Sequence, residues 1–363
     1  MLVRRRKRET ACLTFLSDMQ YNAFVGGRMK GGLVTQRFRT RVTELFGIEH
    51  PIVGGCMMHI SGPEFVAAIS NAGALGMMAS AMFPSQEEFR AAVRKVKDLT
   101  DKPFGVNLTL FPALRPIDNS LYVEVILEEG VPVVETSGRR PPEDLLERLR
   151  AGGVITMHKC ASVRHALSAQ RAGVDAVTIF GSEGGGHIGE LGLTTMVLVP
   201  RAADVLEVPL LAAGGIADGR GLLAALALGA DGVTIGTRLL LTTECPIHPN
   251  LKKALAAAKE TDTLPILGSL HNTLRAWKNA AALKVAEMEA GQAELMEILS
   301  LVSGKAAKRM YKEGDVNSGV IACSQSIGIV NEIKPVAEVI EGTVREAAAI
   351  RDRLTANPVP NPS

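Results

Sequence analysis

Short apolar runs alternate with amphipathic segments along the chain from about residue 40 onward. The runs are rich in β-branched residues and show little polar alternation, a pattern typical of parallel strands buried on both faces. The eight runs are HPIVGGCM (50–57), ALGMMAS (74–80), FGVNLTL (104–110), VPVVETS (131–137), VITMHKC (154–160), AVTIFGS (176–182), VPLLAAG (208–214) and GVTIGT (232–237). We therefore predict eight parallel strands separated by helices.

The segments between the runs carry helical signals. In residues 85–99, the side chains of Phe89, Val93 and Val96 fall on one apolar stripe, and the segment that begins at Ser162 starts with a good N-cap residue. Eight strand–helix units predict an α/β fold, a TIM (β/α)8 barrel. A doubly wound open sheet is the alternative, but its GxGxxG fingerprint is missing after the first run, which continues as GGCMMH.

The barrel prediction divides the chain into five parts. We assign residues 38–244 to the barrel with its cofactor site. The parts outside it are a basic, disordered tail (1–37), a helical lid inserted after the eighth strand (245–318), closing helices that pack on the barrel (319–356) and a short tail (357–363). The N-terminal RRRKR and ACLTFL superficially resemble a signal peptide, but the apolar part is short and no A-x-A site follows.

Composition narrows the function classes. The chain has 363 residues, 47% of them hydrophobic, and a net charge of +2, so we expect a large core and no nucleic-acid partner. No apolar stretch of about 18 uncharged residues exists, so no membrane span is expected. Five scattered cysteines without a CxxC pair argue against a disulfide framework or a zinc site and favour the cytoplasm. A homodimer is compatible with the sequence, which identifies no surface for it.

Two glycine-rich turns follow the seventh and eighth runs. Active sites of TIM barrels lie at the carboxyl ends of the strands, with a phosphate site often after strands seven and eight. At those places the sequence offers Gly214, Gly215, Gly236 and Thr237, whose backbone N–H groups could face an anion. We predict a phosphate site there; ordinary glycine turns are the alternative.

Polar residues at the other strand ends should line the same open end of the barrel, which we call its mouth. After the first run these are Cys56, Met57 and the weaker candidate His59, and the third run contributes Asn107. Lys159 closes the fifth run and could stabilise developing negative charge. A lysine that only extends its ammonium group from a loop edge into water is the competing interpretation.

The stretch GSEGGGHIGE (181–190) places one histidine among glycines directly after the sixth run. An imidazole titrates near neutrality and can take or give a proton, so we select His187 as the catalytic histidine. Glu183 is expected to orient the loop. His158, adjacent to Lys159 on a strand, should face the opposite side of the sheet.

With these residues assembled, the chain resembles the FMN-dependent nitronate monooxygenase family, formerly 2-nitropropane dioxygenases. The resemblance rests on FRTRVTELFGIEHPI, NAGALG, DKPFGVNLTL, MHKC…RHAL…AGVDAV, GSEGGGHIGE, AAGGIADGRGLLAALALGADGV, GTRLLLTTECPIHPN and EGDVNSG, which lie in order between residues 38 and about 330. NADH:quinone reductases and flavin-dependent enoyl-ACP reductases share these motifs. Relatives commonly carry Met where this chain has Cys56, which changes the first cofactor loop.

The resemblance implies FMN in the barrel mouth, with its phosphate on the turns after strands seven and eight, His187 beside the flavin and Lys159 near the pyrimidine side of its ring. The implied FMN-binding residues are Gly55, Cys56, Met57, Asn107, Lys159, Gly181, Ser182, Gly185, Gly186, Ala213, Gly214, Gly215, Gly236 and Thr237. The glycines of the 181–186 stretch would let the flavin lie against bare backbone.

We therefore predict an oxidoreductase that oxidises alkyl nitronates, with reduced FMN returning its electrons to O2 and His187 and Lys159 as catalytic residues. The alternative uses NAD(P)H to reduce the flavin, which then reduces a quinone or an enoyl-ACP or enoyl-CoA thioester. All these partners are small molecules or thioesters. A non-catalytic flavin-binding barrel and a synthase acting on a phosphorylated sugar are further alternatives, because a phosphate site alone does not name a flavin.

Overall fold

The structure is a computed structural model, and the residues that it describes are 38–110, 118–292, 295–302 and 304–356. The predicted tails at 1–37 and 357–363 lie outside the described residues.

Eleven strands occur among the described residues. Numbered along the chain, they are β1 (Ile52–Gly54), β2 (Gly76–Ala79), β3 (Phe104–Leu110), β4 (Val133–Gly138), β5 (Ile155–Cys160), β6 (Ala176–Phe180), β7 (Gly186–His187), β8 (Leu210–Ala213), β9 (Gly232–Ile235), β10 (Thr263–Ile266) and β11 (Leu274–Trp277). The eight predicted apolar runs contain β1 to β6, β8 and β9.

The described α-helices surround these strands or follow them. They are α1 (Arg41–Phe46), α2 (Pro63–Asn71), α3 (Gln86–Leu99), α4 (Asn119–Glu128), α5 (Glu143–Ala151), α6 (Val163–Ala172), α7 (Thr195–Ala203), α8 (Gly219–Ala227), α9 (Thr237–Leu240), α10 (Pro249–Ala256), α11 (Ala280–Ala290), α12 (Leu295–Val302), α13 (Gly304–Glu313) and α14 (Val336–Ala356). Short 3₁₀ helices occupy Ser80–Met82, Gly268–Leu270 and Gln325–Ile329.

One parallel sheet forms the centre of the fold, in the strand order β1-β9-β8-β6-β5-β4-β3-β2. A parallel bridge between Val53 and Leu75 joins its two ends, and the backbone N–H of Gly54 donates to the Leu75 carbonyl at 2.9 Å. The sheet is therefore a closed (β/α)8 barrel, and the predicted fold class is confirmed. Because all eight strands are parallel, their carboxyl ends meet at one rim.

Side chains alternate between the barrel interior and the helix layer. On β6, Val177 and Ile179 pack in the cluster that contains the helices, whereas Ala176 packs with Met157 and Leu211 in the interior cluster. This alternation follows from the period of two in a strand. It directs Lys159 and Thr178 to the interior, two residues beyond Met157 and Ala176 respectively.

The helix signals in the sequence correspond to observed caps and buried faces. Phe89, Val93 and Val96 of α3 are fully buried. The Ser162 hydroxyl accepts the backbone N–H of His165 at the start of α6, and Gly173 ends that helix in the left-handed region at φ 97°. Glycine adopts this φ without a Cβ clash, which explains why it stands there.

Residues 245–318 contain strands as well as helices, which differs from the all-helical prediction. β10 and β11 form an antiparallel pair, and β11 also pairs with β7 in the loop after β6. The short edge that β7 presents gives β11 a hydrogen-bonding partner, and Ala276 of β11 is fully buried. A role of this segment as a lid stays a prediction.

The closing region consists of the 3₁₀ helix at Gln325–Ile329 and the long helix α14, which packs mainly on α8. The Glu346 carboxylate of α14 accepts the backbone N–H of Gly219 at 2.8 Å, at the first turn of α8. No helix in the described part of the chain is both long and apolar enough to cross a membrane.

His158 lies on the outer face of β5, as predicted. Its Nδ1 is 2.9 Å from the Thr136 hydroxyl, and burial, followed by the charges of His165 and Lys159, lowers the pKa of His158 to about 4. The folded protein thus holds this imidazole neutral, whereas the unfolded chain protonates it at about 6.5.

This histidine should make stability depend on pH. Its folded-state pKa is depressed, so its contribution is present above about pH 6.5 and is lost as pH falls towards about 4. We expect it to remove about 2 kcal/mol of unfolding free energy between pH 7.5 and pH 5. Urea unfolding of His158→Gln should show a correspondingly shallower pH dependence, and that of His165→Gln, at an exposed position, should keep most of the wild-type dependence, because burial is the largest cause of the shift. Equal slopes in all three proteins would contradict this.

Candidate functional site

A buried polar network crosses the interior face of three neighbouring strands near the carboxyl-end rim. The Glu135 carboxylate of β4 accepts a hydrogen bond from Asn107 Nδ2 of β3 at 2.6 Å. Lys159 Nζ of β5 donates to the same oxygen at 3.3 Å. The Glu135 side chain is 1% exposed and that of Lys159 is 24% exposed. A buried carboxylate thus fixes a lysine ammonium group at the edge of the mouth.

The charges of this network act on its neighbours. Burial has the largest single effect and opposes the charge of Lys159, but the charge and hydrogen bond of Glu135, together with Cys56, outweigh it, so the pKa of Lys159 is raised above 10.5. Burial also raises the pKa of the Cys56 thiol to about 12, despite the opposing charge of Lys159. Cys56 is therefore a neutral thiol beside the ion pair, and Lys159 stays charged over the whole physiological range.

His187 lies on β7, paired with Leu274 of β11. Its side chain is exposed at the mouth, yet the protein around it lowers its pKa below 6.5 through desolvation, and the charge of Lys159 adds to the effect. The imidazole is consequently neutral at pH 7. The structure thus brings together His187 and Lys159, the two predicted catalytic residues.

The glycines of the 181–186 stretch serve close packing inside the protein. A Cβ on Gly181 would lie 2.1 Å from the Thr195 hydroxyl oxygen, and one on Gly185 would lie 2.6 Å from the Cys323 carbonyl carbon. A Cβ on Gly184 would meet the Phe180 ring at 2.4 Å. These contacts account for three of the glycines without any ligand.

Hydrogen bonds fix this loop against two distant segments. The Glu183 carboxylate accepts the Thr195 N–H at 2.9 Å, and the Glu183 carbonyl accepts the Ser324 hydroxyl at 2.7 Å. The Ser324 N–H in turn donates to the Thr237 hydroxyl at 2.9 Å, and Arg275 of β11 donates to the Ser182 carbonyl at 2.8 Å. The 181–190 loop and the turn after β9 therefore form one braced rim.

The turn after β9 is open where the 181–186 stretch is packed, whereas a Cβ on Gly214 in the turn after β8 would lie 2.8 Å from the Gly181 carbonyl oxygen. A Cβ on Gly236 would meet no atom within 4 Å. Within the described residues, the backbone N–H groups of Gly214, Gly215 and Gly236 donate to no protein acceptor. On β9, the buried hydroxyl of Thr234 has no hydrogen-bond partner among them. Unused donors and an unfilled space at this rim fit an anionic ligand.

The other predicted site residues lie around this rim. The Gly55 N–H donates to the Ile235 carbonyl at 2.7 Å, and the Met57 N–H donates to the Ser61 hydroxyl at 2.9 Å. The Ala213 carbonyl accepts the Gly181 N–H at 2.9 Å, and Gly186 pairs with Arg275. His59 follows the first strand, and burial, followed by the charge of Lys308 of α13, lowers its pKa.

Sequence reasoning missed Glu135 and Ser324. A glutamate inside the apolar run VPVVETS was a usable signal, because an acid on an interior strand position requires a partner. Ser324 lies in an unremarkable stretch more than 80 residues from Thr237 in the sequence, and only the fold brings the two together.

Two glycine substitutions should separate packing from ligand contact. Gly185→Ala forces a Cβ against the backbone of Cys323, so we expect it to lower the free energy of unfolding by about 2 kcal/mol. Gly236→Ala enters open space at φ −120°, so stability should stay within about 0.5 kcal/mol of wild type. If a ligand phosphate uses that space, ligand affinity should fall. Chemical unfolding and ligand titration of both variants measure this, and a strongly destabilised Gly236→Ala would contradict it.

Comparison with known proteins assigns this arrangement to a family. The sequence profile of the nitronate monooxygenase family matches residues 39–346, which include the whole barrel and the braced rim. The chain belongs to this family. A probable nitronate monooxygenase from Staphylococcus saprophyticus is 32% identical over 63% of the chain and 75% of that protein.

The chain is also similar to proteins that carry other names. A "(3aS,4S,5R,7aS)-5-hydroxy-7a-methyl-1-oxo-octahydro-1H-indene-4-carboxyl-CoA dehydrogenase" from Rhodococcus jostii is 33% identical over 88% of the chain and 98% of that protein. The solved structure of FabK from Thermotoga maritima is 38% identical, covers 88% of the chain and 99% of its own, and superimposes with a TM-score of 0.82. The chain is thus an oxidoreductase of the nitronate monooxygenase type.

Proposed function

We propose that this protein is an FMN-dependent oxidoreductase and that it oxidises alkyl nitronates. The observation that carries the proposal is that charged Lys159 and neutral His187 share one rim with an open turn whose backbone N–H groups are unused. FMN would supply the two-electron chemistry when bound. O2 would be the final electron acceptor.

The residues present fit FMN. The open space at Gly236 and the unused N–H groups of Gly214 and Gly215 suit its phosphate. Thr234 offers a buried hydroxyl without a partner at the same strand end. Asn107 and Lys159 lie across the barrel and would hold the ring, while Cys56 would contact it where relatives have Met. We retain Gly55, Met57, Ser182, Gly186 and Ala213 as members of the proposed FMN shell.

Each catalytic residue then has a role that its environment favours. The Lys159 ammonium group, held by Glu135, would place positive charge beside the nitronate and the electron-rich ring. His187 is neutral at pH 7, so it would hydrogen-bond the anionic substrate or accept a proton from its conjugate acid. The braced loop would keep the imidazole Nε2 or Nδ1 aimed into the mouth.

A second candidate function is reduction of an enoyl thioester or a quinone with NAD(P)H. One observation favours the thioester: a relative that covers 88% of the chain is named as acting on a carboxyl-CoA compound. In this reaction His187 would give a proton to the substrate carbon.

Anaerobic mixing separates the two candidates. The purified protein is mixed with propionate 3-nitronate, NADH or NADPH in separate runs, and loss of flavin absorbance is followed. Rapid bleaching by the nitronate alone supports the first candidate. Bleaching by a pyridine nucleotide with the nitronate inert overturns it in favour of the second. A colourless protein that takes up no FMN would refute both.

A further inference from the structure

A polar cleft lies outside the barrel wall, next to the carboxyl ends of β4 and β5. Its volume is about 590 Å³, within the roughly 300–1,000 Å³ range of small-molecule sites. The lining comes from the loop after β4, from the outer face of β5, from α6 and from the loop before β11. None of its lining residues is acidic.

Five of the lining side chains are basic or can become so. They are Arg139, Arg140, His158, His165 and His271. Arg140 is engaged by Glu143 at 2.5 Å, whereas Arg139 has no ion-pair partner in the described part of the chain. The carboxylate of Glu190 lies close enough to His271 to act on its charge, but it is held by the N–H and hydroxyl of Thr273. The cleft therefore offers uncompensated positive charge at Arg139.

His158 supplies the buried end of the cleft. It is 1% exposed, its Nδ1 faces the Thr136 hydroxyl, and no hydrogen bond of the described residues reaches its Nε2. A neutral imidazole in this position presents one nitrogen to whatever enters the cleft.

Two chain segments contribute residues both to the cleft and to the candidate active site. His158 and Lys159 are neighbours on β5, one facing the cleft and the other the barrel mouth. His271 and Asn272 line the cleft, and Leu274 shortly after them pairs with His187. The cleft therefore borders the rim that carries the candidate active site at both of these segments.

We propose that this cleft binds the phosphate-bearing adenosine portion of a large substrate whose reactive end enters the barrel mouth. A CoA thioester and NADPH share this chemistry, because each contains an adenosine diphosphate with an additional phosphate on its ribose. The inference rests on the second candidate function, since a nitronate carries no such group. Arginine and histidine side chains are suitable donors for phosphate oxygens.

Binding measurements on the flavin-loaded full chain test the proposal. Isothermal titration uses four probes: CoA, 3′-dephospho-CoA, NADPH and NADH. We expect either CoA or NADPH to bind. The matching probe without the ribose phosphate, 3′-dephospho-CoA or NADH, should bind more weakly. The pair that shows this difference identifies the source of the ligand. Arg139→Gln combined with His165→Gln should weaken that ligand at least about tenfold, with affinity that falls as salt rises.

The control is Arg353→Gln on α14, an exposed arginine outside the cleft lining. It should bind like wild type. Equal affinity in the Arg139→Gln/His165→Gln variant, or absence of binding by all four probes to wild type, overturns the proposal. Thermal unfolding of the variant verifies that it is folded, and if it is not, Arg139→Gln alone is used, since that side chain is exposed.

Nitronate turnover measured on the same preparations distinguishes failure of the cleft proposal from failure of the first candidate function. Normal turnover of nitronate without binding of any probe removes the cleft proposal and leaves the first candidate function intact. Binding that depends on Arg139, together with no nitronate turnover, supports the cleft and removes that candidate function.

Discussion

Replacing His187 by asparagine should lower turnover at least about 100-fold while the barrel stays folded and binds flavin. The reason is geometric and electrostatic. His187 is exposed at the mouth on a loop held by Glu183 and Arg275, and Lys159 and desolvation keep its imidazole neutral. Asparagine keeps a polar side chain there but cannot exchange a proton near neutral pH.

The matched control is His59→Asn. His59 is the other histidine near the mouth that the sequence suggested, and it already has a φ of 65° that asparagine tolerates well. We expect its turnover to stay within about threefold of wild type. Steady-state kinetics of both variants, with flavin content measured by absorbance, decide the assignment. Full turnover in His187→Asn, or a greater loss in His59→Asn, would contradict it.

The pH profile of the wild-type enzyme adds a direction. If His187 acts as a neutral acceptor, activity should be retained above pH 6.5 and lost as pH falls through its depressed pKa. If it donates a proton to an enoyl substrate, activity should instead decline as pH rises through the same pKa. The profile thus distinguishes the two candidate functions without any mutation.

The barrel itself could be predicted from the sequence because its signals are local. Strands buried on both faces produce continuous apolar runs, and helices between them produce periodic stripes such as Phe89, Val93 and Val96. β10 and β11 escaped prediction because TLPI and LRAW are four-residue strands whose stability depends on β7, a partner more than 70 residues earlier in the chain.

The site was predictable only in part for the same reason. Lys159 and His187 could be chosen by their positions at strand ends. The packing role of the glycines could not be predicted, because Gly181 and Gly185 pack against Thr195 and Cys323, which the sequence does not place next to them. The open glycine, Gly236, looks the same in the sequence as the packed ones.

Lys159→Met tests the ion pair that supports the site. Glu135 is 1% exposed and Lys159 holds it at 3.3 Å, so removing the ammonium group leaves a buried carboxylate with Asn107 as its one close donor among the described residues. We expect a loss of about 3 kcal/mol of unfolding free energy, since an unpaired buried charge is costly. Adding Glu135→Gln to Lys159→Met should recover part of the loss, because the amide needs no counter-charge.

Lys284→Met, which breaks an exposed pair with Glu287, should cost less than about 0.5 kcal/mol. Urea unfolding of the four proteins gives the comparison. If Lys159→Met were as mild as Lys284→Met, the carboxylate would be satisfied without its lysine, and the electrostatic support proposed for the mouth would fail.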